Sequence, residues 1–454
     1  MNNNAKRKRI VLIGGGFAGF NFTRKLFNNT HYTVTLVDKN NYNYFTPLLY
    51  QVATSFLEPA AISYPFRKLL EKRNITFRMA KVLKVNTDEH ILYLSDGGEL
   101  HYDILVFAAG STTNFFGNKS VQNYSFPIKD IGDALYMRNE LIKTLEKASI
   151  EKDAQKKQML LTIVIAGGGP TGVELAGMLA EFKNGILGTD YPELRRDPMT
   201  IYLIEGESYL LPPMSMKTHR EAYRALEELG IIVKLNTRVN YYEHDHVLLS
   251  DGVVIKTKTL IWAAGVTATR FEGIASTSTG RGNRMITDHF NRVKGYNNIY
   301  AIGDISIQYT DQAYPAGHPQ LAQPAIQQGK TLAKNLLRLA KGKSMKPFKF
   351  FDRGDMAIIG RKWAVADLFK HRLHVGGLPG LLAWLFIHLV SLVNYNNKIR
   401  TLYSWFVAYL THDQVLRMIF LSGKRDGEYA PDDKNGREVE ISLLKDRVPN
   451  QSVN

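Results

Sequence analysis

Cysteine is absent from the 454-residue chain. That absence removes disulfides, thiolate zinc sites, iron–sulfur clusters and every mechanism built on a redox-active thiol, and no metal is expected. Long hydrophobic runs are missing too. The longest, "LPGLLAWLFIHLVSLV" at 378–393, has 16 residues, short of the roughly 20 that a membrane-crossing helix needs. The N-terminal "AKRKRIVLIGGG" sets only four apolar residues between a basic run and glycines, where a signal peptide carries about 7–15. The expectation is a short solvated tail entering a strand, in a protein made and kept in the cytoplasm. Negative charge is scarce: 42 Asp+Glu against 58 Lys+Arg leave a formal net charge of +16. Such a balance favours polyanions, whether anionic lipid, phosphate-bearing substrates or nucleic acid. The aromatic-interleaved basic patches of nucleic-acid modules are lacking, so nucleic acid is not an expected partner.

Glycine, by contrast, is placed with purpose. "IVLIGGGFAG" (10–19) and "IVIAGGGPTG" (163–172) carry G-x-G-x-x-G as Gly14, Gly16, Gly19 and as Gly167, Gly169, Gly172, 153 residues apart. "LSDG" and "AAG" also recur, each 155 residues apart, in "HILYLSDGGELHYDILVFAAG" (90–110) and "HVLLSDGVVIKTKTLIWAAG" (246–265). Three markers in one order at nearly one offset make the chain two copies of one design. Each copy reads strand, glycine turn, helix, then a second strand ending in an acid, Asp38 or Glu205. The first glycine permits the tight turn, the second lets backbone approach a pyrophosphate, and the third lets helix pack on strand. The helix N-terminus faces the anion and the acid accepts from a ribose. Asp38 follows Gly14 by 24 residues and Glu205 follows Gly167 by 38, the excess being "FKNGILGTDYPELRRDPM" (182–199). A carboxylate at 205 suits a 2′-hydroxyl and repels a 2′-phosphate, and no arginine follows directly in "IEGESYLL"; NADH is expected over NADPH.

Two dinucleotide folds in tandem followed by "NIYAIGD" (298–304) resemble the two-dinucleotide-binding flavoprotein superfamily. Without cysteine, its disulfide reductases and sulfide:quinone reductases are excluded. The stretches "NYNYFTPLLYQVAT" (41–54), "GGGPTGVELAG" (167–177), "AQPAIQQG" (322–329) and "GDMAIIGRKWAVAD" (354–367) resemble the type II, non-proton-pumping NADH:quinone oxidoreductases. That resemblance implies an α/β protein with two Rossmann-like domains, one inserted in the other, plus a mostly helical C-terminal membrane-anchoring region. The implied boundaries are 1–115 with 287–345 for FAD, 116–286 for NADH, and 346–454 for the anchoring and dimerisation region. It implies FAD contacts at Asp304 and Gly303, at Ala109 and Gly110, at the backbone around Pro47 and at Ala322, with Ala264 and Gly265 the matching positions of the NADH copy. A hydride would pass from NADH to FAD, and two electrons onward to ubiquinone or menaquinone.

Glu174 sits just after the second glycine motif. Its bland role is complementing the helix dipole in a first turn; the resemblance implies positioning nicotinamide and relaying protons. "HPQLAQPAIQQGK" (318–330) opens a helix in which Pro324 falls in the first turn. Gln323 and Gln327, four apart, share a face. They are read either as bonded to neighbouring backbone or, by the "AQxAxQ" resemblance, as donors to a quinone carbonyl. The runs 378–393 and "LYSWFVAYL" (402–410), beside Lys398, Arg400 and Arg417, fit amphipathic helices lying in a membrane interface or a hairpin packed on the core or on a second subunit. A homodimer held peripherally on the cytoplasmic side of the inner (cytoplasmic) membrane follows from the resemblance. Two other readings remain: a soluble NADH-dependent reductase of a small redox protein, and a non-catalytic nucleotide-sensing module.

Overall fold

The computed structural model describes residues 7–187, 189–369, 372–411 and 416–419; the expected N-terminal tail and all of 420–454 lie outside them. In the first copy, the β-branched run β1 (Lys8–Ile13) ends at Gly14 because only glycine tolerates the φ of +97° there. Helix α1 (Phe17–Lys25) returns the chain to β2 (Tyr32–Asp38), which pairs in parallel with β1 from Lys8↔Tyr32 to Ile13↔Val37. A short helix, α2 (Leu49–Ala53), follows, and β3 (Ile75–Met79) and β4 (Ile104–Phe107) extend the sheet on either side.

The second copy opens its sheet with β5 (Phe126–Pro127). It then repeats the pattern with β6 (Thr162–Ala166), α3 (Pro170–Phe182), β7 (Thr200–Ile204), α4 (Met216–Glu228), β8 (Ile231–Lys234) and β9 (Thr259–Trp262). Its order is β5-β9-β6-β7-β8. β6 is buried at all five positions, as expected of a parallel strand covered on both faces. The excess between α3 and β7 is a π turn (Lys183–Leu187) and a 3-10 turn (Pro192–Leu194) whose Tyr191 and Leu194 are buried.

Only then does β10 (Ile299–Ala301) return to pair with β4, giving the first sheet the order β10-β4-β1-β2-β3. Each copy also carries a three-stranded antiparallel meander, within 82–101 and 239–256. Each meander has a register shift at the same place, Val82/Lys84 and Val239/Tyr241. The copies meet through equivalent strands, Thr112–Thr113 pairing antiparallel with Val266–Thr267.

Helix α5 (Ala322–Ala340) buries Leu332, Ala333 and Leu336. It crosses α1 at Gly329, where a Cβ would strike the Ala18 carbonyl. Residues 354–376 form a feature absent from the sequence reading: an antiparallel sheet of β11 (Gly354–Ile359), β12 (Trp363–Leu368) and β13 (Leu373–Gly376). It packs on α3 where Gly177 meets the backbone of Gly360. Helices α6 (Gly377–Ser391) and α7 (Tyr395–Thr411) follow. The Asn397 amide donates to the carbonyls of Ala60, Ala61 and Ser63 at 2.9–3.0 Å, and the Trp405 indole donates to Gln51 at 2.9 Å. The C-terminal helices are thereby fastened to the segment that follows Pro47.

Candidate active site

The two glycine turns are built alike to the atom. Gly14 and Gly167 take φ of +97° and +109°, and a Cβ on either would lie 2.8 or 2.7 Å from the Cα of Ala109 or Ala264. The AAG motifs are thus the walls against which the turns close. At Gly19 and Gly172 a Cβ would strike the carbonyl of the first glycine of the same turn. Gly16 and Gly169, which cap α1 and α3, have no atom of the described residues, their chain neighbours aside, within 4 Å of that position. Nor has Gly110, whereas Gly265 faces the Phe116 ring. Open space at a helix N-terminus beneath bare backbone is the shape a pyrophosphate needs.

The acids also behave alike. Asp38 accepts from the Gly15 N–H at 2.7 Å and Glu205 from the Gly168 N–H at 2.5 Å. Burial raises the Asp38 carboxyl above its ordinary range, against the pull of the Asn40 and Gly15 N–H groups. The second oxygen of Glu205 accepts from the Glu207 N–H at 2.8 Å. No arginine follows Glu205 in the chain, yet Arg238 arrives through space. Its Nε lies 2.9 Å from the position a Cβ on Gly206 would take, at the residue that follows Glu205.

Asp304 stands at the carboxyl end of the first sheet, after β10. Gly303 (φ +76°) abuts Ala18 of α1 and Ala325 of α5, which keeps Asp304 beside the first cradle. Its carboxylate accepts from the Ser111 hydroxyl at 2.7 Å, and Lys129 Nζ donates to that hydroxyl at 2.9 Å. Two glutamines of the 318–330 cluster serve the same turn. Gln320 donates to the Asp304 carbonyl at 3.1 Å, and the buried Gln328 accepts from the Gly303 N–H at 2.7 Å. Gln328, Ser111 and Lys129 were missed in sequence. Gln328 had a signal, being on the buried stripe one residue past Gln327; the other two had none.

Gln323 and Gln327 turn elsewhere. Gln323 donates to the Gly354 carbonyl at 2.7 Å and accepts from the Arg353 N–H at 3.3 Å. Gln327 donates to the Phe351 carbonyl at 2.9 Å and accepts from the Phe351 N–H at 3.0 Å. Both amides are spent clasping the strand that enters β11, the backbone-bonding reading. Ala322 begins α5, half-buried.

Glu174 requires a correction. It is the fifth residue of α3, outside the first turn, so helix-dipole complementarity is not its main role. Its side chain is buried, 7% exposed, with the Ile358 N–H of β11 at 3.4 Å. Burial pushes the carboxyl up to about 8; the Ile358 N–H and the Trp384 indole, which completes no good hydrogen bond, pull the other way. Around it stand the buried Tyr50 of α2, whose hydroxyl feels the Glu174 charge, and Trp384 of α6. His388 stacks on Trp384 at 3.9 Å and meets Phe45 edge-on at 6.0 Å. Burial draws the His388 imidazole down to about 4, so it is neutral at physiological pH. Pro47 sits half-buried between Phe45 and α2, in a 3-10 turn (Thr46–Leu48). The loop around Pro47 therefore lines the same region as α3, α6 and α7. No cluster of three or more His, Asp or Glu suited to a metal occurs among the described residues.

Residues 8–329 match the pyridine nucleotide-disulphide oxidoreductase family. The type II NADH:quinone oxidoreductase NdhA of Mycobacterium tuberculosis is 32% identical over 422 residues, covering 89% of this chain and 87% of that protein. The chain belongs to this family, the type II NADH:quinone oxidoreductases. The enzyme of the same name from Staphylococcus aureus is 30% identical over 80% of this chain and 90% of its own. In fold, this oxidoreductase superposes on NDH2 from Plasmodium falciparum in complex with NADH with a TM-score of 0.83, at 22% identity, covering 91% of this chain and all of that one. The sulfide:quinone oxidoreductase of Aquifex aeolicus shares the fold less closely, with a TM-score of 0.67 at 20% identity. The flavoprotein class and the cofactor pair FAD and NADH agree with both cradles.

Proposed function

We propose that this protein is a membrane-associated NADH:quinone oxidoreductase with FAD in the first glycine cradle and NADH in the second. The observation that carries the reading is the pair of equivalent cradles, each with open space over its middle glycine and an acid pinned beside it. FAD would be held by Gly14, Gly16, Gly19, Asp38, Ala109, Gly110, Gly303 and Asp304, with the Pro47 loop and Ala322 toward its ring; NADH would be held by Gly167, Gly169, Gly172, Glu205, Ala264 and Gly265. Bound FAD supplies the acceptor for a hydride and the donor of electrons to a quinone. The chain's own contribution is position and charge. Glu174, neutral below about pH 8, stores a proton in an apolar setting beside the Pro47 loop. Gln323 and Gln327 hold the strand entering β11, and quinone contact through their amides requires that clasp to open.

Membrane attachment rests on the outer faces of α6 and α7. Leu378, Leu382, Phe386 and Val390 recur every four residues and are 52–66% exposed; Ile399, Leu402, Phe406 and Leu410 are 50–65% exposed. Apolar stripes of this size on monomers mark protein or membrane contacts. No helix of the described residues is long and apolar enough to cross a membrane, which suits helices lying in the interface. Attachment on the cytoplasmic face, and dimerisation through the same tail, complete the reading. The test is anaerobic: NADH should bleach the purified yellow protein, and short-chain ubiquinone or menaquinone should restore the colour. Bleaching without quinone reoxidation would favour a reductase of a small redox protein; no bleaching would refute the enzyme reading. Flotation with anionic liposomes tests attachment, and light scattering tests the dimer.

A further inference from the structure

Three side chains from separate parts of the chain converge on the carboxyl edge of the first sheet. Ser111 follows Gly110 in the segment after β4, Asp304 lies within the turn Gly303–Ile305 after β10, and Lys129 lies just before the long helix Ile131–Ile150. Ligands of open parallel sheets bind outside that edge. The Lys129 ammonium donates to Ser111 at 2.9 Å, and Ser111 donates to the Asp304 carboxylate at 2.7 Å.

Lys129 is also fixed at its backbone. Its N–H donates to Asp133 at 2.8 Å, part of the capping box that starts the long helix, and its carbonyl accepts from the Tyr44 hydroxyl at 3.3 Å. Tyr44 ends the short strand Tyr42–Tyr44, from which the chain continues to Pro47. Neighbours from the first copy and from the long helix thus set where this cation stands. Burial draws its ammonium below the ordinary lysine value, with Asp304 opposing that pull. A half-buried ammonium with three donors, one of them on Ser111, retains capacity toward the cradle.

We propose that Lys129 is a positioning residue of the FAD site: its ammonium, seated by Ser111 against Asp304, supplies a fixed positive charge that favours the reduced cofactor. Reduction adds negative charge to the bound group, and a nearby cation in a partly desolvated setting stabilises that charge more than it would in water. The inference rests on FAD occupying the Gly14–Gly19 cradle. Asp304 limits the effect without cancelling it, because the serine hydroxyl stands between the charges.

The test is a reduction-potential titration of flavin-loaded protein, with thermal stability followed in parallel. Lys129→Met should lower the equilibrium constant for two-electron reduction about tenfold, equivalent to about 30 mV more negative. Lys129→Arg should restore most of the shift, and Ser111→Ala, which frees the ammonium, should give a smaller shift of the same sign. A Lys129→Met potential equal to wild type, whatever its melting temperature, overturns the proposal. Should that variant not retain flavin, an unchanged potential in Ser111→Ala overturns it as well. Wild-type protein that holds no flavin would refute the cradle assignment instead.

Discussion

The two glycine cradles share the order of four of their five strands, turn geometry, acid placement and even the register shift of their meanders, yet they are covered differently. Over α1 lies α5, which arrives with the Gly303–Asp304 turn bolted to it by Gln320 and Gln328. Over α3 lies the C-terminal meander, which arrives with α6 and α7. Equivalent helix positions then carry different chemistry. Asn21 of α1 donates to the Phe17 carbonyl of its own helix at 2.9 Å. Its counterpart Glu174 is a buried carboxyl facing β11 and Trp384. A duplicated βαβ unit is generic, and what packs on its outer helix face gives equivalent positions different environments.

Four experiments press on that comparison. Gly16→Val and Gly169→Val add side chains where no protein atom waits, so both variants should fold. Gly16→Val should purify colourless and inactive. Gly169→Val should stay yellow while its KM for NADH rises at least about tenfold, about 1.4 kcal/mol of binding; loss of colour in Gly169→Val would reverse the assignment of the copies.

Glu174→Gln sharpens the contrast with Asn21. Turnover should fall about 100-fold if the carboxyl moves a proton, and an inflection near pH 8 should vanish from the rate profile. Unchanged turnover would leave a structural role alone. Stability gives an independent sign. A carboxyl raised from 4.5 to about 8 in the folded state contributes stability that is complete below pH 4.5 and lost as pH rises through about 8. Melts of wild type and Glu174→Gln should therefore coincide at pH 5 and separate at pH 9, the glutamine variant being the more stable by a few degrees.

Glu205→Gln tests the proposed role of this acid in distinguishing coenzymes. With the carboxylate gone and Arg238 beside it, the ratio of kcat/KM for NADPH over NADH should rise about tenfold. Adding Arg238→Ala should erase the gain; a gain that survives would remove Arg238 from the site. The smallest effect belongs to the clasp. Gln323→Ala or Gln327→Ala should cost about 0.5–1.5 kcal/mol for each lost hydrogen bond. Either should slow quinone reduction severalfold while flavin reduction by NADH holds its rate in stopped flow. Equal slowing of both half-reactions would separate these residues from the quinone end.

The repeat was legible because its signals are local: β-branched runs, glycines at fixed spacing and terminal acids each act within one supersecondary unit. Glu174 and the 318–330 glutamines were visible as residues but not as environments. The environments of Glu174, Gln323 and Gln327 depend on β11, which starts 180 residues after Glu174 and was itself overlooked, and those of Gln320 and Gln328 on the Gly303–Asp304 turn. "MAIIGRKWAVADL" holds two short apolar runs about a turn, a hairpin signal overshadowed by the apolar helices that follow. Lys129 and Ser111 carry no motif, and only the closing of the first sheet brings them to Asp304.

By itself the sequence determined two dinucleotide cradles, the absence of thiol chemistry and an apolar C-terminal tail, since each follows from short-range sterics or composition. Tertiary structure decided which glutamines brace the Gly303–Asp304 turn and which clasp the strand entering β11. It also set the burial that keeps Glu174 protonated near neutrality and brought Arg238 beside Glu205. Those outcomes depend on desolvation and on contacts between distant segments, and such quantities exist only once the chain has packed.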